Sequence, residues 1–146
     1  GAEIIPSKLC IRFSKQSMFA NNQPGLNEEF LDVLDDFFPK YIDLLMDHKD
    51  VIAEIRIEGH TSSVGTYFHN MKLSQERSRN VLQYCWELAN SEQRTWMKEC
   101  VTANGLSYSH PIIVDGVEDE DKSRRVEFRI LTNSEESINL INTNLQ

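Results

Sequence analysis

The 146-residue sequence predicts an α+β fold, a two-layer sandwich in which an open mixed β-sheet carries helices on one face. Three observations carry this. Segments with period-two apolar alternation are separated by long segments with three- and four-residue apolar spacing. Their order, strand–helix–strand–helix–strand–strand, needs crossover connections and therefore some parallel pairing. Each strand segment alternates apolar with polar residues, so one sheet face is expected to be wet and the helices confined to the other.

The segment "KLCIRFS" sets Leu9, Ile11 and Phe13 against Lys8, Cys10 and Arg12, a half-buried strand. The turn-rich "MFANNQPG" follows. From Leu26 to about His48 the stripe Phe30, Val33, Leu34, Phe37, Tyr41, Leu44 and Leu45 predicts a helix, with Pro39 expected to kink or split it. "VIAEIRIEG" alternates Ala53, Ile55 and Ile57 inward with Glu54, Arg56 and Glu58 outward. A second helix is expected over Leu73–Leu88, capped by Ser74, with Leu73, Val81, Leu82, Cys85 and Leu88 inward. "NSEQRTWMKE" reads as a short helical insertion carrying Trp96, "CVTANGLS" as a third strand or its exit loop, and "VDGVEDEDKS" as a solvated acidic loop. "RRVEFRIL" is the last strand, with Val126, Phe128 and Ile130 inward. The folded domain is expected over residues 3–133. The tail 134–146, with Ile138, Leu140, Ile141 and Leu145, reads as a terminal helix or a segment that packs elsewhere.

The composition is 40% hydrophobic and 26% charged, that of a water-soluble globular domain. A net charge of −8 argues against binding nucleic-acid backbones or an anionic membrane surface, so any anion site must be built from a few placed arginines. No apolar run approaches the roughly 20 residues of a membrane-spanning helix. Cys10, Cys85 and Cys100 lack metal-ligand spacing and read as buried thiols, with a Cys85–Cys100 disulfide an option in an oxidising compartment. His48, His60, His69 and His110 have no acidic partner at metal spacing, so no metal site and no cofactor is expected.

The stretch most suggestive of function is "IEGHTSSVGTYFHNMKLSQERSRNVLQYC", where an apolar strand runs through a polar loop into a helix. Arg77 offers a planar fork of donors that suits a carboxylate, or it is structural and binds Glu76 or loop carbonyls. Asn70 stiffens the loop or touches a ligand, and Ser62 and Ser63 read as a polar loop tip. Arg125 opens the last strand and faces either the site or a cross-strand partner, Glu58 or Glu54. "GHTSSVG" is not a Gly-x-Ser-x-Gly nucleophile elbow, and no nucleophile–base set stands at recognisable spacing, so no enzyme is expected.

Taken in order, "EGHT", Gly65, Asn70, "LSQER", "NGLSYSHPI" and "RRVEF" resemble the OmpA-like domain, the peptidoglycan-binding module of outer-membrane proteins, Pal lipoproteins and MotB-type motor stators. The resemblance spans about Lys8 to Leu131. It implies a non-catalytic, periplasmic domain of a diderm bacterium that grips diaminopimelate-type peptide stems and anchors an envelope or stator-like protein to the wall. It implies a homodimer as well, with membrane attachment only through segments outside this chain. The site residues it implies are Thr61, Ser62, Asn70, Leu73, Ser74, Arg77 and Arg125, with Arg77 on the stem carboxylate. The pattern departs at Ser62, which stands where the family has an aspartate for the stem ammonium, at "GLS" over Gly105–Ser107, and at the insertion around Gln93–Lys98. The loss of that aspartate motivates an alternative function, a degenerate module that binds a protein partner in an envelope assembly.

Overall fold

The structure is a computed structural model that describes residues 2–6, 9–14, 18–133 and 143–144. Its main sheet has five strands: β1 (Ala2–Ile5), β2 (Cys10–Phe13), β3 (Ile52–His60), β4 (Val101–Gly105) and β7 (Arg125–Thr132). Their spatial order is β1-β2-β7-β3-β4, with β3–β4 parallel and the other pairs antiparallel. Two long helices, α1 (Glu28–Met46) and α2 (Tyr67–Leu88), and the shorter α3 (Ser91–Cys100) make the second layer. This is the expected open mixed sheet with helices on one face. The edge strand β1 was not foreseen. The tail residues 134–142 and 145–146, expected to form a helix or to pack elsewhere, lie outside the described residues.

The core lies between sheet and helices. Phe13, Ile55, Ile57, Val126 and Phe128 meet Phe30, Leu34, Phe38 and Ile42 of α1 and Val81 and Cys85 of α2. The stripe of α1 is rotated from the expected one: Phe38 and Ile42 are buried, whereas Val33 is exposed and Leu44 is 58% exposed. Consecutive apolar residues in "FF" and "YIDLL" leave the sequence ambiguous about which face turns inward. Pro39 does not split α1. The burial of Phe38, Tyr41, Ile42 and Leu45 along its second half stabilises the continuous helix, each large side chain by about 1.5–3 kcal/mol, more than the lost hydrogen bond costs. In β3 a register shift between Ile52 and Glu54 turns Ile52 inward and leaves Ala53 exposed, reversing the alternation expected there. Leu9, expected inward, sits in the turn before β2 with φ 48° and is exposed.

The sheet face away from the helices is not wet as expected. Glu58, His60, Arg125 and Glu127 on that face are all buried, and Glu127 is only 1% exposed. Arg12 Nε and Arg125 Nε donate to Glu127 Oε2 at 2.9 and 2.8 Å, and Arg129 Nη2 donates to its Oε1 at 3.0 Å. Arg129 Nε also donates to Glu58 Oε1 at 3.3 Å. The polar alternation of β2, β3 and β7 therefore encodes an ion-pair layer rather than a solvated face.

The acidic segment is folded as well. Strands β5 (Ile113–Val114) and β6 (Val117–Glu118) form a hairpin, and α4 (Glu120–Ser123) follows, capped by Asp119. Asp115 and Gly116 at the hairpin turn have φ of 51° and 80°, the two positive values a type I′ turn demands. Cys10, Cys85 and Cys100 are free and buried, as the buried-thiol reading expects, and the optional Cys85–Cys100 disulfide is not formed. Burial first of all pushes the Cys10 and Cys100 thiols up to about 11 and the Cys85 thiol higher still, which leaves all three unreactive at neutral pH.

Candidate functional site

The site is assembled where β3 ends, α2 begins and the segment 18–26 crosses over them. Two glycines permit the close approach. A Cβ on Gly59 would lie 2.5 Å from the Ser74 carbonyl oxygen, and one on Gly105 would lie 2.4 Å from the Gln75 nitrogen. The face of α2 pressed on the sheet here is correspondingly small, with Ser74 and Ser78 fully buried. Ser74 Oγ donates to Met71 O and accepts from Ser107 N–H, while Ser107 Oγ donates to Tyr67 O. These bonds fix the height of α2 above β3 and β4.

Helix α2 starts at Tyr67, six residues before the expected Leu73, and its cap is Thr66 rather than Ser74, with Thr66 Oγ1 accepting from His69 N–H. "YFHNMK" lacks an apolar stripe, so periodicity starts late. The consequence is chemical: Arg77 lies almost three turns into the helix, away from the free N–H groups of its first turn.

Asn70 is buried and its Nδ2 donates to Val64 O and Thr66 O at 2.9 and 3.0 Å, so it stiffens the loop. Thr61 is buried; its N–H donates to Ser107 O and its hydroxyl to Ser62 O. Ser62 is only 3% exposed and not at a loop tip; its Oγ accepts from Val64 N–H. The exposed position is Ser63, whose N–H and hydroxyl both donate to Glu118 of the hairpin. Leu73 packs inward. Arg125 does not pair with Glu58 or Glu54: besides Glu127, its guanidinium donates to Ser123 O and His110 O, so every nitrogen is engaged.

Arg77 is different. Its Nε donates to Gln23 O at 2.9 Å and its Nη2 to Ala20 O at 3.2 Å, with the guanidinium carbon 4.6 Å from the centre of the Phe19 ring. Nη1 makes no hydrogen bond and no carboxylate pairs with Arg77 among the described residues. Of the two structural partners weighed for it, loop carbonyls are found and Glu76 is not. Burial, and then the neighbouring Arg124, push its pKa down to about 10, so it stays charged at neutral pH. Arg77 borders a cavity of about 300 Å³ that is lined also by Met18, Phe19, Asn21, Gly59, His60, Asp121, Arg124, Arg125 and Val126. The role of Arg124 and of the segment 18–26 was not legible from spacing, because nothing local in "MFANNQPG" reports the helix it will lie on.

His60 joins the cavity to the ion layer. Its Nε2 is 3.2 Å from Glu58 Oε1 and 3.7 Å from Glu127 Oε1, while Nδ1 is buried without a hydrogen-bond partner among the described residues. Burial lowers the His60 pKa more than the two carboxylates raise it, so the ring is neutral at pH 7 and Nε2–H donates to Glu58. Glu58, His60 and Glu127 bring ligand atoms within 4.8 Å of one another, a spacing that suits a cation. The carboxylates are already neutralised by Arg12, Arg125 and Arg129, which makes this an ion-pair cluster with little attraction for a metal.

A profile of the OmpA family matches residues 18–125. The chain belongs to the OmpA family. Among curated relatives, the Zorya protein ZorB of Escherichia coli is 42% identical over 96% of this chain, and the chain spans 64% of that relative's length. The OmpA fold is also that of the periplasmic domain of Helicobacter pylori MotB, residues 78–256, with a TM-score of 0.65 at 17% identity, covering 99% of this chain and 88% of that one. The peptidoglycan-associated lipoprotein of Burkholderia pseudomallei superposes with a TM-score of 0.56 at 19% identity, covering 79% and 88%. In this OmpA-family member no helix among the described residues is long and apolar enough to cross a membrane.

Proposed function

We propose that this domain is a non-catalytic binder of peptidoglycan peptide stems, in which Arg77 takes the carboxylate of a diaminopimelate-type residue. The observation that carries the reading is the state of Arg77: a fixed, charged guanidinium on the wall of a cavity, held by carbonyls and an aromatic ring and paired with no carboxylate. A desolvated cation of this kind gains most from a carboxylate that accepts two of its N–H groups. Thr61, Ser62, Asn70, Leu73 and Ser74 serve by shaping the loop and the helix that carry Arg77, and Arg125 by closing the cavity wall. The hydroxyls of Ser74 and Ser107 are committed to backbone carbonyls, which supports binding rather than catalysis.

On this reading the domain works in the periplasm of a Gram-negative bacterium and anchors an envelope or stator-like protein, as a homodimer, to the wall. Co-sedimentation with purified sacculi tests it: wild type pellets and Arg77→Ala stays in solution while remaining folded. A variant that pellets as wild type does would refute the assignment. A second reading, docking on a protein of an envelope assembly, is favoured by the exposed Ile113, Val114 and Val117 of the hairpin. It takes over if wild type itself fails to pellet.

A further inference from the structure

The cavity beside Arg77 has a second pole. Of the residues that line it, Asp121 alone is acidic. Asp121 stands on α4, its side chain 61% exposed, and its Oδ1 accepts from Arg124 Nη1 at 3.1 Å. Its Oδ2 makes no hydrogen bond among the described residues. The other carboxylates around the site are engaged. Glu58 and Glu127 are held by arginines, Glu120 pairs with Arg124, and Glu118 takes both of its hydrogen bonds from Ser63. His60 adds an acceptor: with Nε2–H turned to Glu58, the buried and unpartnered Nδ1 carries a lone pair in a residue that lines the same cavity. A lone pair and a free carboxylate oxygen favour an N–H donor and disfavour a second anionic group.

We propose that Asp121, rather than the position held by Ser62, receives the ammonium group of a zwitterionic ligand whose carboxylate lies on Arg77, so that the cavity prefers an amino-acid end to a plain carboxylate. This rests on the wall-peptide reading above and gives its specificity a residue. Ser62 has no part in it, being buried and absent from the cavity wall.

The test is titration calorimetry with two synthetic peptides that end in diaminopimelate, one with its side-chain amine free and one with that amine acetylated. Wild type, Arg77→Ala and Asp121→Asn are compared. Wild type is expected to prefer the free amine, and Asp121→Asn to lose roughly fivefold to tenfold of its affinity for that peptide. Affinity of Asp121→Asn for the acetylated peptide should equal that of wild type, which separates loss of the ammonium contact from any release of Arg124. Arg77→Ala should weaken both peptides. Equal losses for the two peptides in Asp121→Asn, or no loss, overturn the assignment while leaving the wall-peptide reading intact. A wild type that binds neither peptide overturns both.

Discussion

Two arginine-rich regions lie on either side of His60, and they are built on opposite principles. On the open face of the sheet, Arg12, Arg125 and Arg129 surround Glu127, and each carboxylate oxygen meets a guanidinium nitrogen at 3.0 Å or less. In the cavity, Arg77 is just as firmly held, but by the carbonyls of Ala20 and Gln23, which fix its direction without neutralising it. The first arrangement satisfies its charges internally and contributes to stability. The second leaves a charge without a carboxylate partner, which is what the proposed wall-peptide reading uses. Arg77 differs from Arg12, Arg125 and Arg129 in having no carboxylate partner among the described residues, and the proposed wall-peptide reading rests on that difference.

The comparison breaks first at Glu127. Replacing it by Gln leaves three guanidinium groups around a buried neutral amide, and loss of one member of a buried ion pair typically costs about 3–5 kcal/mol. Urea unfolding of Glu127→Gln should show a loss of that size, and the variant should still bind wall peptide under conditions where it is folded. A stable variant would mean that the ion layer is solvated after all.

Gly59 links the two regions. Its missing Cβ would meet the Ser74 carbonyl at 2.5 Å, a backbone contact that cannot yield without moving α2. Gly59→Ala is therefore expected to cost about 1–3 kcal/mol by overpacking. It should also weaken peptide binding, because Arg77 rides on α2. A thermal melt and a calorimetric titration on the same sample check both effects.

Acid should act on the ion layer in two stages. Burial alone would raise the Glu127 pKa, but hydrogen bonds and charge from Arg125, together with His60 and Arg12, outweigh it and hold the carboxyl at about 2. A folded-state pKa below the unfolded one gives stability that is complete above the unfolded value and is lost as pH falls through it toward the folded one. Glu127 therefore contributes fully above about pH 4.5 and loses its contribution between there and about pH 2. His60 also has a lowered pKa, chiefly through burial, so its stabilising neutral form is lost progressively below about pH 6.5. Against the effect of burial, His60 and Arg129 also hold Glu58 below the usual carboxylate range, which adds to the acid limb. The melting temperature should decline gently below pH 6.5 and steeply below 4.5, and Glu127→Gln should flatten the steep limb. A melting temperature unchanged from pH 7 to 3 would refute the linkage.

The smallest expected effect separates charge from geometry. Arg77→Lys keeps the charge and loses the fork, and about 1.4 kcal/mol, a tenfold weakening of peptide binding, is expected with the melting temperature unchanged. Binding at wild-type strength would show that the cavity reads charge alone.

Much of the fold was legible because its elements are amphipathic in the ordinary way. β7 with Val126, Phe128 and Ile130 inward, and α2 from Leu73 onward, follow from periodicity. Legibility failed where polar residues are buried. Cys10, Arg12, Glu58 and Glu127 look like a wet face because alternation records polarity and not exposure. The first turns of α2 were missed because "YFHNMK" has no apolar stripe and its one buried residue is the polar Asn70. The hairpin was readable: Asp115-Gly116 between Ile113-Val114 and Val117 is the two-residue turn signal, masked by the acidic run behind it. Arg77 was singled out through its place in "LSQER", yet its partners, Ala20 and Gln23, lie more than fifty residues away in sequence. Asp121 had no signal of its own beyond lying in the acidic run, since only the folded chain brings it to the cavity that Arg77 also lines.

The central claim, that the charge of Arg77 is held ready for a ligand, is tested most directly by one paired measurement: the affinity of wild type and Arg77→Ala for a diaminopimelate peptide, with the melting temperature of each. The account predicts a loss of about 2–5 kcal/mol of binding with a melting temperature close to wild type. An Arg77→Ala protein that binds as tightly as wild type, or one whose loss of binding is matched by loss of the fold, would contradict it.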